Sequence, residues 1–398
     1  MKTFLKIFAL LLALFLAGFI GYSLSENNSD LFGSLNEESQ IITYEYAKSI
    51  KCEPNSSSVK PIGRTVFENG IRYFSMSGSG IEFLSDASYA DVTLVCNAES
   101  LTANHRPRVA VYINDSVVFD ETLSENETSV HLELDSYGEE NTVKIIKLSE
   151  SMHSACGVGE ITVYGKSGIK PAKDKDLKIE FIGDSITAGF GIDEERENAE
   201  FSTATQNFSK TYAYLTAEAL GADYSAVAFS GYGVVSGYTS SYYQNSKAVI
   251  TEYYESSITN QSFESPYPLE KWDFSQFVPD VVVINLGVND AVYCSTQTRR
   301  EEFVEKYKKL IGLVRWYNKS SHILCVLGDV NDSLYPYIEQ AVNDYTHETQ
   351  DRAVSSFQLH YNMAENGSVI DGHPSDAAHQ SAASELTEII RNIISIEN

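Results

Sequence analysis

Two short segments contain residue types that could carry out nucleophilic chemistry. Ser185 stands at the end of Gly183-Asp184-Ser185, and Asp371 stands two residues before His373. A serine hydroxyl is a poor nucleophile unless a base takes its proton, and a histidine can be that base. A carboxylate that accepts a hydrogen bond from the imidazole holds the ring and supports the cation that forms. Ser185, His373 and Asp371 are therefore candidates for a nucleophile, a base and an orienting acid.

Two further segments could supply hydrogen-bond donors to a developing negative charge. The side-chain amide of Asn289 can donate to an oxyanion. Gly231 lets its backbone N–H approach a ligand closely. Each segment alone also has an ordinary structural explanation: a helix cap for Ser185, an Asx-turn for Asn289 and a tight turn for Gly231. The joint occurrence of the four segments favours a catalytic site.

Alternating strands and helices are expected to position these residues in the C-terminal half of the chain. Apolar runs predict buried parallel strands, and apolar residues at helical spacing between Phe303 and Val314 and between Leu386 and Ile394 predict helices. Ligands of such sheets bind at the carboxyl ends of the strands. Thr187 replaces the final glycine of a G-x-S-x-G elbow, which argues against an α/β-hydrolase. The predicted strands are Lys178–Ile182, Ser225–Phe229, Val281–Leu286, Ile323–Leu327 and about Ala353–Gln358.

The residues before this half show a different pattern. From about Ile41 to Lys166, short alternating strands with turn residues between them predict a β-sandwich or jelly roll. A charged segment that contains Pro171 predicts an interdomain linker over residues 168–177. We therefore expect an N-terminal β domain over residues 41–167 and a catalytic α/β domain over residues 178–398.

The N-terminus predicts export from the cytosol. Lys2 and Lys6 precede an apolar run from Ile7 to about Tyr22, which is typical of a secretory signal. The run is also at the lower edge of the length that spans a membrane, so residues 1–25 are either a signal peptide or a signal anchor. The polar residues 26–40 predict a flexible stalk, and several Asn-x-Ser/Thr sites are compatible with glycosylation outside the cell. We expect a secreted protein, or one tethered to a membrane through this segment only.

Charge and cysteine content limit the partners of the protein. The formal net charge is −26 over 398 residues, which argues against nucleic-acid partners because a phosphate backbone would be repelled. The five cysteines are an odd number, so at least one thiol stays unpaired within the monomer. No group of His and Cys has the spacing of metal ligands, and the sequence predicts neither a metal nor a cofactor.

The four polar segments together resemble those of SGNH (GDSL-type) hydrolases. That family combines Gly-Asp-Ser, a glycine block, Gly-x-Asn-Asp and a terminal Asp-x-His, which match residues 183–185, 231, 287–290 and 371–373. More closely, the chain resembles carbohydrate esterase family 2 from about Gly63 to Ile394. Further segments that carry this resemblance are Ile146–Glu150, Phe181–Thr187, Lys271–Phe274 and Val283–Gly287.

This resemblance implies a fold, an activity and a set of roles. The fold would be a jelly roll packed on a flavodoxin-like SGNH domain, and the activity would be removal of O-acetyl groups from polysaccharides such as xylan or glucomannan through an acyl-serine intermediate. Ser185 would be the nucleophile and His373 the base. Asp371 matches the orienting acid of members that keep one, whereas other members use a backbone carbonyl. The oxyanion hole would consist of the Ser185 N–H, the Gly231 N–H and the Asn289 side chain.

The residues between the segments help to separate substrate classes. The insert of residues 233–279 is rich in Tyr, Ser, Asn and Gln, a composition that suits sugar rings better than long acyl chains. Tyr238, Tyr242 and Tyr243 are candidate sugar platforms, and a solvated loop is the alternative. Two other functions stay open: an SGNH esterase for lipid or other small esters, and an inert surface protein that binds carbohydrate.

Overall fold

The structure is a computed structural model that describes residues 48–134, 139–196, 198–257 and 271–397. The predicted signal segment (residues 1–25) and stalk (residues 26–40) lie outside the described residues, as does the start of the predicted β domain. No helix within the described ranges is long and apolar enough to cross a membrane. All five cysteines lie within these ranges, and each is a free thiol.

Strands follow one another up to residue 171, and strands alternate with helices after it. The strands are β1 (Lys48–Cys52), β2 (Lys60–Ile62), β3 (Thr65–Glu68), β4 (Ile71–Phe74), β5 (Gly80–Ser85), β6 (Tyr89–Cys96), β7 (Arg108–Ile113), β8 (Ser116–Thr122), β9 (Glu127–Glu133), β10 (Asn141–Lys147), β11 (Cys156–Gly165), β12 (Lys170–Pro171), β13 (Lys178–Gly183), β14 (Asp223–Ala228), β15 (Val281–Asn285), β16 (His322–Gly328) and β17 (Val354–Leu359). The helices are α1 (Ser185–Ala188), α2 (Tyr212–Leu220), α3 (Gln297–Tyr317), α4 (Tyr335–Thr349), α5 (Met363–Asn366) and α6 (Asp376–Glu397).

The strands β1 to β12 form two antiparallel sheets that share an apolar core. One sheet has the order β3-β4-β11-β6-β9, with β1 also paired to β11, and the other has the order β12-β5-β10-β7-β8, with β2 also paired to β5. Burial alternates along β6, as expected for a sheet that is covered on one face. Val92 and Ile161 of one sheet and Ile81 and Val143 of the other belong to a single buried cluster. The antiparallel architecture predicted for this half is therefore present.

The strands β13 to β17 form one parallel sheet in the order β14-β13-β15-β16-β17. This is the 2-1-3-4-5 order of flavodoxin-like folds. Every residue of β15 is buried, because helices cover both faces of the sheet. Residues of α3 and α4 pack on one face, and residues of α2 and α6 pack on the other. The predicted parallel sheet is confirmed, and each predicted strand agrees with an observed strand to within two residues at either end.

The antiparallel and parallel parts share buried contacts. Ile62 joins the cluster that covers the α2–α6 face of the parallel sheet. Arg64 is fully buried and pairs with Glu180 of β13 at 3.0 Å. Lys60 pairs with Asp223 of β14, also at 3.0 Å. The described residues of both parts therefore belong to one compact unit.

The predicted linker is partly ordered as a strand. Lys170 and Pro171 form β12, which pairs with β5 at the edge of the second antiparallel sheet. The chain then enters β13, the first strand of the parallel sheet along the sequence. Residues 168–177 thus connect the antiparallel part to the parallel part, and β12 within them adds an edge strand to the second antiparallel sheet.

Candidate active site

The site lies at the carboxyl ends of the first three strands of the parallel sheet. Ser185 opens α1 just after β13, Gly231 follows β14, and Asn289 follows β15. Because β13 pairs with both β14 and β15, the loops after these three strands meet at one edge of the sheet. The loop that precedes α6 adds His373 to the same place.

Ser185 and His373 are joined by the hydrogen bond that activation of a serine requires. Ser185 Oγ lies 2.8 Å from His373 Nε2. The Asp184 side chain caps α1 by accepting the N–H of Ile186 at 3.0 Å, which stabilises the turn that presents the serine. The hydroxyl can pass its proton to the imidazole as its oxygen attacks a carbonyl carbon.

The structure differs from the expectation for Asp371. His373 Nδ1 lies 3.1 Å from the backbone carbonyl oxygen of Ile370, and no hydrogen bond joins the Asp371 carboxylate to the ring within the described residues. Asp371 has φ 54° and ψ 26° in the turn Ile370–Gly372, and its side chain is exposed. This left-handed conformation directs the Ile370 carbonyl back towards the imidazole. The carbonyl therefore occupies the place predicted for the carboxylate, and the orienting role predicted for Asp371 is wrong.

The environment of His373 favours its neutral form. The Phe190 ring stacks on the imidazole with 4.4 Å between ring centroids. Burial lowers the pKa of His373 below its ordinary value, and this effect outweighs the Ile370 carbonyl and the charges of Asp371 and Glu150, which act in the opposite direction. A neutral imidazole at neutral pH is the form that can accept a proton.

The three residues of the predicted oxyanion hole line one cavity, but their donor groups are not equally free. The backbone N–H groups of Ser185 and Gly231 have no acceptor among the described residues. Gly231 has φ 77°, a left-handed conformation that favours glycine. The amide nitrogen of Asn289, in contrast, donates to Asp184 Oδ2 at 3.1 Å and to the Tyr232 carbonyl oxygen at 2.9 Å. Both amide hydrogens of Asn289 therefore have acceptors in this structure.

Two buried acids organise the loops beneath the site. Asp290 Oδ1 accepts the N–H of Val235 at 2.7 Å and the N–H of Ser236 at 2.9 Å, which ties the loop after β14 to the loop after β15. Burial raises the pKa of Asp184 to about 7 and the pKa of Asp290 to about 6. These carboxyl groups are structural neighbours of the reacting groups and do not face the cavity.

An open cavity of about 540 Å³ gives access to Ser185 and His373. A second cavity of about 690 Å³ shares Ser230, Gly231 and Tyr238 with the first. Among the predicted sugar platforms, Tyr238 lines both cavities, whereas Tyr242 and Tyr243 line neither. The residues that line the first cavity are Ser185, Ile186, Phe190, Ser230, Gly231, Tyr238, Val288, Asn289, Val330, Asp371, Gly372 and His373.

Two contributors to the site were not predicted from the sequence. The Ile370 carbonyl belongs to the backbone, so no residue type marks it. Glu150 lies in the β domain, and its carboxylate accepts hydrogen bonds from Ser230, which is 80 residues away in the chain. The only sequence signal for Glu150 was its place in a segment that carries the family resemblance.

No group of His, Cys, Asp and Glu within the described ranges could hold a metal ion. The chemistry suggested by the Ser185–His373 pair needs neither a metal nor an organic cofactor. The absence of a cofactor stays a prediction.

The sequence matches a known family and is similar to proteins named as esterases. Residues 181–381 match the GDSL-like Lipase/Acylhydrolase family. The chain is 33% identical over 270 residues to the cellulase/esterase CelE of Acetivibrio thermocellus, a match that covers 63% of this chain and 31% of that relative. It is 24% identical over 256 residues to an acetylxylan esterase/glucomannan deacetylase of Cellvibrio japonicus, covering 64% of this chain and 68% of the relative. The chain thus spans about a third of the length of the first of these relatives.

Structural comparison leads to the same group of proteins. A family two carbohydrate esterase from Clostridium thermocellum, solved in complex with cellohexaose, is similar with a TM-score of 0.73 and 26% identity. The similarity covers 85% of this chain and 99% of that structure, so it includes the antiparallel part. The family match, which extends over half of the chain, covers the segments that contain Ser185, Asn289 and His373. This chain belongs to the GDSL-like lipase/acylhydrolase family.

Proposed function

We propose that this protein is a serine esterase that removes acetyl groups from carbohydrates. The observation that carries the proposal is the 2.8 Å hydrogen bond between Ser185 Oγ and His373 Nε2, two residues that line an open cavity. Two backbone N–H groups without acceptors, those of Ser185 and Gly231, adjoin this pair. A nucleophile, a base and donors for an oxyanion are the groups that acyl transfer requires.

The reaction would proceed through an acyl-serine intermediate. Ser185 Oγ attacks the carbonyl carbon of the ester while His373 Nε2 takes the hydroxyl proton. The N–H groups of Ser185 and Gly231 donate to the oxyanion of the tetrahedral intermediate. As this intermediate collapses, the imidazolium gives its proton to the sugar oxygen, and the alcohol leaves. Water then attacks the acyl group with His373 as base, which releases acetate and restores Ser185.

Asn289 would act as the third donor of the oxyanion hole. Both hydrogens of its amide have acceptors in the present arrangement. The amide can donate to an oxyanion only if it gives up Asp184 Oδ2 or the Tyr232 carbonyl, or shares a hydrogen with one of them. The two backbone donors therefore provide the part of the oxyanion hole that needs no rearrangement.

Several observations support a carbohydrate substrate. A relative is named as an acetylxylan esterase/glucomannan deacetylase, and a similar structure holds cellohexaose. Tyr238 lines both cavities, and its exposed aromatic ring can stack on a sugar. A net charge of −26 is compatible with a neutral polysaccharide and would repel a polyanionic one.

Acyl-chain preference and acetate release test the proposal together. We expect kcat/KM to fall from 4-nitrophenyl acetate to butyrate to octanoate, and we expect acetate release from acetylated xylan or glucomannan. Ser185→Ala, the control, should release no acetate and should keep the Tm of the wild type within a few degrees. A preference for octanoate would indicate a lipid-type esterase. Binding to the polysaccharide without ester hydrolysis would indicate an inert carbohydrate-binding protein.

We also propose that the protein is exported through residues 1–25. The supporting observation is the basic and then apolar sequence pattern. Expression in a secreting host, followed by N-terminal sequencing, distinguishes the two forms of this proposal. A mature protein in the medium indicates a cleaved signal, intact protein in the membrane fraction indicates an anchor, and intact protein in the cytosol contradicts export.

We further propose that the antiparallel part is a jelly roll. The support is its strand order, β4-β11-β6-β9 in one sheet and β5-β10-β7-β8 in the other. Strands β4 to β11 cross between the two sheets in the pattern of two interlocked Greek keys. An experimental structure in which these strands pair in another order would contradict the assignment.

A further inference from the structure

One segment of the antiparallel part reaches the loop that carries the oxyanion donor. This segment, Leu148–Ala155, connects β10 to β11. Glu150 lies in it and has no solvent exposure. Its carboxylate faces Ser230, the residue directly before Gly231, in the loop that follows β14.

The Glu150 carboxylate accepts hydrogen bonds from two residues of the catalytic part. Oε1 accepts from Gln206 Nε2 at 2.6 Å and from Ser230 Oγ at 2.7 Å, and Oε2 accepts from the Ser230 N–H at 2.8 Å. A buried carboxylate is costly unless donors surround it, and hydrogen bonds to a charged acceptor are stronger than neutral ones. These bonds therefore hold the backbone of Ser230 firmly to Glu150.

Glu150 is itself held in place. Its backbone N–H donates to Gln206 Oε1 at 3.0 Å. Lys147, which is also fully buried, donates from Nζ to the carbonyl oxygens of Ser149 at 2.7 Å and Glu150 at 2.6 Å. The segment is thus anchored at its backbone, so its carboxylate can serve as a fixed point for the Ser230–Gly231 peptide.

We propose that Glu150 is a positioning residue for catalysis, through which the antiparallel part sets the place of the Gly231 N–H in the oxyanion hole. This inference rests on the proposed esterase function, since it concerns the same oxyanion. Asp290 holds the far end of the same loop, at Val235 and Ser236. Glu150 holds the near end, so the Gly231 N–H lies between two fixed points.

The position of an oxyanion donor matters most when charge develops on the substrate oxygen. Displacing the Gly231 N–H should therefore lower kcat and leave KM nearly unchanged. Glu150→Gln keeps the shape of the side chain, but it replaces one of the two acceptor oxygens with an NH2 group that faces the donors. We expect kcat for 4-nitrophenyl acetate to fall by roughly ten- to a hundred-fold, with KM within about twofold of the wild type.

A matched control is available at another buried carboxylate. Glu180→Gln makes the same chemical change where Arg64 of the antiparallel part meets β13, and neither residue lines the two cavities described above. We expect this variant to lower the Tm and to leave kcat unchanged. Comparison of E150Q with E180Q therefore distinguishes displacement of the Gly231 N–H from a general loss of stability.

A double substitution should restore activity. In E150Q/Q206E, the amide at position 150 can donate to the new carboxylate at position 206 and can still accept the Ser230 N–H. The carboxylate at position 206 can also accept the backbone N–H of residue 150. We expect the double variant to recover at least half of the loss in log kcat, a coupling that a double-mutant cycle measures directly. Gln206→Leu removes one donor to the Glu150 carboxylate, and we expect it to lower kcat less than E150Q does. It provides the alternative test if E150Q does not fold.

Hydrogen exchange gives a readout that is independent of turnover. Peptides that cover residues 229–238 should exchange faster in E150Q than in the wild type, and at the wild-type rate in E180Q. Any one of four results would overturn the inference. Two concern the folded E150Q variant itself: an unchanged kcat, or a change confined to KM. The other two are a loss of kcat that the double variant does not reverse, and unchanged hydrogen exchange at residues 229–238. A wild-type protein that hydrolyses no ester would instead overturn the proposed function, and the exchange data would still decide the role of Glu150 in holding the loop.

Discussion

At the residue scale, the orientation of the His373 ring depends on the Ile370 carbonyl oxygen. This oxygen accepts the backbone N–H of His373 at 3.2 Å and lies 3.1 Å from Nδ1 of the same residue. The carbonyl fixes the tautomer, because Nδ1 must carry the hydrogen and Nε2 is then free to accept the proton of Ser185. The side chain of Asp371 makes no hydrogen bond to the ring among the described residues, and its charge raises the pKa of His373.

Asp371→Asn should therefore have a small effect on turnover and a visible effect on the pH profile. We expect kcat to fall by less than about tenfold, whereas His373→Ala should lower it by roughly a thousand-fold or more. The base must be neutral, so activity is lost as pH falls through the pKa of His373. Removing the Asp371 charge lowers that pKa further, and the acid limb of kcat/KM should move to lower pH. Measurement of kcat and kcat/KM from pH 4 to 9 tests both the expected change in kcat and the expected shift of the acid limb. A loss in Asp371→Asn as large as that in His373→Ala would restore Asp371 as the orienting acid.

At the scale of elements, the turn Ile370–Gly372 and the segment after α1 fit closely together. Gly191 has φ 62°, and a Cβ at this position would lie 2.1 Å from Ile370 Cγ2. Gly221, which ends α2, also has φ 62°, but a Cβ there would have no heavy atom within 4 Å. The two glycines share a backbone conformation and differ in whether a side chain would push on the turn that orients His373.

Gly191→Ala should impair catalysis, and Gly221→Ala should not. Both variants place a Cβ in the left-handed region, which costs about 1–2 kcal/mol of stability. In Gly191→Ala, displacement of Ile370 moves the carbonyl that holds His373, and misplacement of a catalytic group by about 1 Å can cost on the order of a hundred-fold in rate. Measuring Tm and kcat for both variants tests this difference. Equal losses of kcat would mean that the Ile370 turn is insensitive to this contact.

At the scale of the whole molecule, buried polar contacts join the antiparallel and parallel parts. Arg64 donates to the carbonyl oxygens of Tyr254 and Ser256 and pairs with Glu180. The side chains of Arg64 and Glu180 are 0% and 3% exposed. Removing one partner of such a pair strongly destabilises the folded protein, because the other charge stays buried without a counter-ion.

The described parts should consequently unfold in one cooperative step. We expect a single calorimetric transition whose van't Hoff and calorimetric enthalpies agree. Arg64→Met leaves Glu180 without its cation, should cost roughly 3–5 kcal/mol, and should lower the Tm of that one transition without splitting it. Differential scanning calorimetry of both proteins provides the measurement. Two resolved transitions in the wild type would show that the parts fold independently.

The parallel sheet and the residue types at its carboxyl edge could be predicted from the sequence, because their causes are local. The run Val281–Leu286 is apolar except at Asn285, since both faces of β15 are covered, and the structure places β15 at Val281–Asn285. Helical spacing from Phe303 to Val314 likewise lies within α3. In β12, by contrast, Lys170 and Pro171 pair with β5 through tertiary contact and carry no strand pattern of their own.

The sequence by itself indicated the candidate site residues, since Ser185, Asn289 and His373 are marked by their types and by the strands and helices beside them. Only the tertiary structure decided which atoms hold them. A three-residue turn with φ 54° at Asp371 replaced a carboxylate by the Ile370 carbonyl, because backbone conformation decides which acceptor meets Nδ1. Packing of the antiparallel part brought Glu150 to Ser230 across 80 residues of chain. Such partners depend on how distant elements meet, and no local pattern of residues encodes that meeting.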